Sequence, residues 1–343
     1  MTPGDLHLPP ELDERTQLVL GSESATRPVL SIMVPTFRRP ELLREAITSA
    51  IKQVTRHSYE IVVVDNEQDA DMARAVDAVV RSFSFPNIKL YRNRRNLGMF
   101  GNWNICLKLA RAKWVMLLND DDLLLEGFLS AIEDQVDTDA ALIATQKIEF
   151  DKRQAHPQTE VRPGLKARLL ASDTPRRLCP ADFYLANPLG NSSGVLLNTD
   201  YVAEENFFDE SFFPSSDYEA WLRLVKRGGC IFIKKPLAVY VIGENESLRP
   251  EVLQGFLEKD RLLRQQYFGP IGQGRWADLI RDLLLWRDVY LYQQKWGIDL
   301  SGYAEHTSPR PAWVKLLAKQ KLFVNRILPK IFYRIYKQQW SQQ

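Results

Sequence analysis

The run Trp114-Val115-Met116-Leu117-Leu118 stops abruptly at Asn119 and three consecutive carboxylates, Asp120, Asp121 and Asp122. An apolar run this short, bounded on one side by charge, reads as a buried strand of a parallel sheet rather than a helix. Adjacent carboxylates repel one another, and a fold carries three in a row most easily where a divalent cation or solvent neutralises them. At the carboxyl end of a parallel strand they stand where open α/β sheets bind ligands. Taken alone, the triplet also reads as a solvated acidic turn ahead of an N-capped helix, since Asp serves both purposes. The rest of the chain bears on that choice.

Residues 1–28 show little periodicity and read as a loosely ordered extension. Val29 to Val34 is a β-branched strand, followed by the loop Pro35-Thr36-Phe37-Arg38-Arg39-Pro40 and a helix from Glu41 to Gln53 with Leu42, Leu43, Ala46, Ile47 and Ile51 on one face. Tyr59 to Val64 is a second strand and also ends on a carboxylate, Asp65. A helix over Met72–Phe83, a strand over Ile88–Tyr91, a helix over Gly101–Ala110, the Trp114 strand, a helix over Glu126–Asp134 and a strand over Ala140–Phe150 complete the pattern. Strands and helices alternating at these intervals predict a mostly parallel sheet with helices on both faces. The usual dinucleotide and P-loop versions are excluded, because no Gly-x-Gly-x-x-Gly follows the first strand and no Gly-x-x-x-x-Gly-Lys occurs. A bound pyrophosphate would need another counter-charge, and a metal on the acidic triplet would supply one.

Further along, 151–178 reads as a long mobile connection. Val195–Leu197 is a short strand behind Gly190, Ser192, Ser193 and Gly194. Ser215 to Val225 opens a helix that ends at Gly228-Gly229, with Ser216 and Glu219 as a capping box and Trp221, Leu224 and Val225 as the buried stripe. Strands follow at Cys230–Ile233 and Ala238–Ile242, then helices at 250–267, 275–296 and 311–338.

The 343 residues, 45% hydrophobic, are enough for one large domain with an appended helical region. Three scattered cysteines, Cys106, Cys179 and Cys230, without CxxC spacing, read as small core residues in a reducing, cytosolic setting, and the four histidines show no metal-ligand spacing. No apolar run reaches the roughly 20 residues of a membrane span, and the amino terminus lacks an apolar signal core. The net charge of +2 hides an asymmetry: from Arg310 to the end there are eight Lys plus Arg and no acid, which leaves 37 basic against 43 acidic residues before it. With Trp313, Leu316, Leu317, Ile331 and Phe332 interleaved, that tail reads either as a helix on an anionic membrane surface or as one docked on the body with a basic outer face. The acidic body and the lack of an accompanying motif argue against nucleic acid as a partner.

Five segments together resemble family 2 glycosyltransferases: Val34-Pro35-Thr36-Phe37-Arg38-Arg39, Ile61-Val62-Val63-Val64-Asp65-Asn66, Asn96-Leu97-Gly98, Asn119-Asp120-Asp121-Asp122 as the DxD region, and Ser216-Asp217-Tyr218-Glu219-Ala220-Trp221-Leu222-Arg223 where the family often has Glu-Asp-x-Asp. The resemblance covers about residues 29–245. It implies an α/β GT-A (Rossmann-like) catalytic domain over 29–245, between an extension at 1–28 and a C-terminal helical region at 246–343 that ends in a basic amphipathic helix.

By the same resemblance, Pro35, Thr36 and Phe37 would floor the base pocket, with Arg39 near the phosphates or base, and Asp65 would accept from base or ribose. Asn96, Gly98 and Asn102 would approach the sugar nucleotide, Asp120 would contact ribose or sugar, and Asp121 would ligate Mg²⁺ or Mn²⁺. Asp217 would be the general base of an inverting transfer from a UDP-, GDP- or dTDP-linked sugar to a hydroxyl of a glycan or lipid-linked acceptor. That chemistry belongs to cell-surface polysaccharide synthesis, in the cytoplasm or at the inner face of the plasma membrane. Two positions depart from the family pattern: Asn119 opens the DxD region, and Ser216 replaces the acid ahead of Asp217. They keep open a non-catalytic sugar-nucleotide binder, beside a nucleotidyltransferase or phosphatase on a similar sheet.

Overall fold

The computed structural model describes residues 14–22, 26–153, 163, 171–172, 174–202, 207–243, 248–268, 275–320, 323, 327–330 and 332. The chain forms two compact units, the first made of 1–177, 191–209 and 227–243 and the second of 178–190, 210–226 and 244–343.

The sheet is built from β1 (Thr16–Leu20), β2 (Leu30–Thr36), β3 (Tyr59–Asp65), β4 (Ile88–Asn93), β5 (Trp114–Leu117), β6 (Leu123–Leu124), β7 (Leu142–Asp151), β9 (Val195–Asn198) and β10 (Cys230–Ile242). Their order is β1-β4-β3-β2-β5-β9-β7-β10-β6, and β8 (Arg176–Leu178) pairs with β10 off this path. Strands β4, β3, β2 and β5 run parallel, as do β7 and β10, while β1, β6 and β9 are antiparallel to their neighbours. The expected mostly parallel sheet is therefore present, with helices α1 (Pro40–Ile51), α2 (Ala70–Arg81), α3 (Gly98–Leu109) and α4 (Phe128–Ile132) between its strands. Every residue of β2 and β5 is buried, as a sheet covered on both faces requires. Ile32, Val34, Ile61, Val63, Trp114 and Met116 pack with Leu43, Ala46 and Ile47 of α1 and Val76, Val79 and Val80 of α2 in one core. Asp69 caps α2, its carboxylate accepting from the amides of Asp71 and Met72 at 3.0 Å each.

Two local readings need correction. Thr16–Leu20, inside the stretch read as loosely ordered, is an edge strand paired with β4 from Thr16↔Asn93 to Leu20↔Leu90. The two expected strands at 230–233 and 238–242 are one strand, whose register shifts on either side of Pro236. Proline has no N–H to give the ladder, so it interrupts pairing without ending the strand.

The second unit is helical: α5 (Pro180–Tyr184), most of α6 (Ser216–Gly228), α7 (Pro250–Tyr267), α8 (Arg275–Trp296), α9 (Ser301–Thr307) and α10 (Ala312–Lys319). Leu253, Leu257, Leu283, Trp286, Val289, Ala304, Val314 and Ala318 form its core. Asp282, 1% exposed, holds Arg261 on α7 and Arg310 ahead of α10, with the guanidinium atoms at 2.7 Å in each pair. The helix expected over 311–338 is seen as α10, and most of the chain from 321 onward lies outside the described residues, as does most of the connection at 154–173. Cys106 and Cys230 are buried as expected, but Cys179 is exposed ahead of α5. Among the described residues no helix is long and apolar enough to cross a membrane.

Candidate active site

The parallel pairing of β2 with β5, from Leu30↔Trp114 to Met33↔Leu117, brings their carboxyl ends side by side. There the acidic triplet meets the Thr36-Phe37-Arg38-Arg39 loop. Thr36 Oγ1 donates to Asp120 Oδ2 at 2.8 Å. Arg39 Nη1 donates to Asp121 Oδ2 at 3.0 Å and reaches Asp120 Oδ1 at 3.5 Å. The loop turns sharply enough to hold Arg38 at φ 59°, a left-handed conformation uncommon outside glycine. Arg38 Nε donates to Glu67 Oε2 at 2.9 Å, and its guanidinium lies 5.0 Å from the half-exposed Phe37 ring. Pro35 is buried within β2.

Burial, then repulsion from Asp121, pushes the Asp120 carboxyl up to about 7, against the opposing pull of the Thr36 hydroxyl, Arg39 and the Phe37 amide. Burial also raises Asp121, with Arg39 as the main opposing charge. Two adjacent desolvated carboxylates therefore share one guanidinium.

The third carboxylate has a different task. Asp122 is fully buried, and Oδ2 accepts from Asn191 Nδ2 at 2.7 Å, Ser193 Oγ at 2.7 Å and Asn119 Nδ2 at 3.1 Å. Its Oδ1 accepts the Val241 amide at 3.0 Å. Asp122 thus ties the end of β5 to β10 and to the turn before β9. Burial and Asp121 push it up to about 6, while these donors hold it down. The turn needs Gly194, at φ +76°, because a Cβ there would meet Ala238 Cβ at 2.6 Å. Asn119, at the first DxD position, belongs to this clamp: its amide donates to Ser193 Oγ at 3.2 Å.

Among the described residues no group of three His, Cys, Asp or Glu is placed to hold a metal. Asp120 and Asp121 nonetheless fit a hard divalent cation, which needs only one or two carboxylates when diphosphate oxygens and waters complete its shell. Burial raises both carboxyls, and a cation held between them would offset that cost of burying charge.

Asp65 pairs with Thr36 across β2 and β3, and is completely buried. Its Oδ2 accepts from Arg92 Nε at 2.9 Å and its Oδ1 from the Glu67 amide at 3.0 Å. Arg92 also binds Asp77 on α2 at 2.6 Å. Burial raises the Asp65 carboxyl, with Arg92 as the principal counterweight. Asn96, Gly98 and Asn102 are joined by two asparagines to which the sequence reading gave no role. Asn66 Nδ2 donates to Asn96 Oδ1 at 2.8 Å and to the Gly98 carbonyl at 3.2 Å. Asn93 Nδ2 bridges Asn66 Oδ1 at 3.0 Å and Asn102 Oδ1 at 2.9 Å, and Asn102 Nδ2 donates to the Val64 carbonyl at 3.1 Å. This amide chain fixes the loops after β3 and β4 to one another.

Asp217 lies in the second unit, half-buried in the first turn of α6, and Oδ1 accepts the Tyr218 amide at 2.6 Å. The expected capping box is replaced: Ser216 is already helical, and Glu219 accepts from Arg223 at 3.1 and 3.2 Å and from the Tyr267 hydroxyl. Ser215 Oγ donates to Asp260 Oδ1 on α7 at 2.8 Å. Trp221, Leu224 and Val225 are buried as the spacing predicts.

The sequence profile of Glycosyl transferase family 2 matches residues 31–184. The GalNAc(5)-diNAcBac-PP-undecaprenol beta-1,3-glucosyltransferase of Campylobacter jejuni is 26% identical over 247 residues, covering 70% of this chain and 75% of its own. Among solved structures, the S. aureus TarS 1–349 complex with UDP-GlcNAc has a TM-score of 0.56 at 17% identity, covering 91% of each chain. The Pyrobaculum calidifontis mannosyltransferase PcManGT, in complex with GDP-Man and Mn²⁺, has a TM-score of 0.54 at 15% identity, covering 93% of this chain and 89% of that one. At these identities the two structures establish the fold, a mixed, mostly parallel GT-A sheet.

Proposed function

We propose that this chain, a glycosyltransferase whose residues 31–184 match glycosyl transferase family 2, moves a sugar with inversion from a nucleoside diphosphate donor to a hydroxyl of a glycan or lipid-linked acceptor. The observation that carries this reading is the cluster of Thr36, Arg39, Asp120 and Asp121 at the carboxyl ends of two adjacent parallel strands. Arg39 holds a donor phosphate, Asp120 takes a ribose or sugar hydroxyl, and Asp121 with Asp120 provides the oxygens for Mg²⁺ or Mn²⁺. A cation held there would offset the charge developing on the leaving diphosphate. Phe37, half-exposed on a loop braced by the Arg38–Glu67 pair, offers a face to the base. Asp65 is completely buried and bound by Arg92 and the Glu67 amide, so its role includes holding the β3 end in place. Asn96, Gly98 and Asn102 shape the sugar side through the amide chain.

Asp217 accepts the proton of the acceptor hydroxyl as that oxygen bonds to the anomeric carbon. The bond from that carbon to the phosphate oxygen breaks, and its electron pair leaves with the nucleoside diphosphate. General-base assistance of this kind typically contributes about 10²- to 10⁴-fold. The lipid-linked acceptor in the name of the Campylobacter enzyme supports a lipid-linked acceptor here, and we infer that it is met at the inner face of the membrane. Release of nucleoside diphosphate from UDP-, GDP- and dTDP-sugars, with Mn²⁺ or with EDTA, tests the reading. One donor class should turn over, and only with the cation. Turnover of none, or equal turnover in EDTA, contradicts it.

A further inference from the structure

Helix α10 buries one side and leaves the other apolar. Val314 is 0% and Ala318 3% exposed, whereas Trp313 is 52% and Leu316 60% exposed. At 3.6 residues per turn, with Val314 and Ala318 facing inward, Leu316 points nearly opposite them, Trp313 lies to one side of it and Lys319 and Lys315 to the other. The outward stripe of such a helix is ordinarily polar. Here its centre is a leucine beside a tryptophan. The helix is also held firmly, so this face is presented rather than frayed: Arg310 binds Asp282, Lys315 pairs with Glu305 and sits 4.6 Å from the Trp286 ring, and Lys319 lies 5.7 Å from the Tyr290 ring.

Along the sequence from this helix onward the charge has one sign. From Arg310 to the carboxyl terminus the sequence has eight Lys plus Arg and no Asp or Glu. A second copy of the same face would set basic against basic. A bilayer surface bearing anionic headgroups satisfies both halves of the pattern, with acyl-chain boundary for Trp313 and Leu316 and phosphate for the lysines.

We propose that the Trp313–Leu316 face of α10 docks this protein on an anionic phospholipid surface as a peripheral, non-spanning contact. The proposal deepens the functional reading above by giving a lipid-linked acceptor a place to be met, and it rests on that reading for its purpose but not for its physics.

The test is co-sedimentation of the full chain with phosphatidylcholine vesicles, with and without about one-third phosphatidylglycerol. Wild type should bind the anionic vesicles, bind the neutral ones weakly, and release as salt is raised. Trp313→Ala with Leu316→Ala should lower the partition coefficient at least about tenfold, since roughly half of each side chain is available to bury, and Trp313→Phe should stay within about threefold of wild type. Both variants should keep the wild-type circular dichroism melting curve and donor turnover. Asp121→Asn should bind vesicles as wild type does, which keeps failure of this proposal apart from failure of the transferase reading. Equal binding by wild type and the double variant overturns the proposal. So does a lack of preference for anionic vesicles, or a wild-type dimer in light scattering that the double variant abolishes, since a second copy then covers the face.

Discussion

Ser193→Ala isolates the clamp on which the acidic strand end depends. Ser193 is fully buried, donates to Asp122 Oδ2 at 2.7 Å and accepts the Asn119 amide at 3.2 Å. A hydrogen bond to a charged acceptor is worth about 1.5–3 kcal/mol, and the Asn119 N–H adds up to ~1 kcal/mol because that residue is only half-buried. Loss of a single oxygen opens almost no cavity, so the cost should be about 2–4 kcal/mol. For a unit of this size that lowers the melting temperature by roughly 5–15 °C. The sign of the pH dependence follows from Asp122, whose carboxyl burial raises to about 6. A raised carboxyl binds its proton more tightly in the folded state, so folded stability falls as pH climbs from the unfolded value toward about 6. Removing Ser193 takes away a donor that favours the ionised form, so the carboxyl rises further and the fall continues to higher pH. The variant's deficit should therefore be small at about pH 5 and widest above about pH 7. Urea unfolding of both proteins across that range measures it, and a deficit below about 0.5 kcal/mol, or one that does not grow with pH, refutes the clamp.

Three further outcomes are expected. Arg92→Met strips Asp65 of its guanidinium while leaving it buried, and should cost about 3–5 kcal/mol in urea unfolding at neutral pH; a loss under about 1 kcal/mol would show that the pair is not what holds the β3 end. Mn²⁺ must displace a proton from Asp120 at any pH below about 7, so its affinity, read by titration calorimetry, should fall as pH drops through that value, by up to about tenfold per unit; a flat profile would mean the cation binds elsewhere. Asp217→Asn should lower kcat by about 10²- to 10⁴-fold with donor affinity within about twofold of wild type; near-normal turnover removes Asp217 from the role of base.

Much of the first unit was legible because periodicity carries it. The buried β2, β3 and β5 read directly as apolar runs ending in polar residues, and in the second unit α7 and α8 fall on the expected bounds of 250–267 and 275–296. Thr16–Leu20 was missed because an edge strand takes its order from its partner β4 rather than from its own pattern. Glu219 was misassigned because a capping box and an i,i+4 pair with Arg223 draw on the same local spacing, and the Tyr267 hydroxyl that favours the second comes from a distant helix. The triplet marked where the site lies but not how its members divide. Asp120 and Asp121 share Arg39, whereas besides nearby Asn119 the donors that occupy Asp122 come from Asn191, Ser193 and Val241, far along the chain. The one available signal was the run of small polar residues Asn191-Ser192-Ser193-Gly194 before a strand. Asn66 and Asn93 gave less warning, because a buried amide network looks like a turn until its partners are known.

The pairing of Asp121 with a cation and a donor diphosphate is tested most directly by calorimetric titration of UDP-, GDP- and dTDP-sugars into the protein with Mn²⁺ and with EDTA, for wild type and Asp121→Asn. One donor should bind wild type in Mn²⁺ and lose at least about tenfold in affinity both in EDTA and in the variant. Binding that is indifferent to the metal, or an Asp121→Asn protein that binds donor as wild type does, contradicts the account.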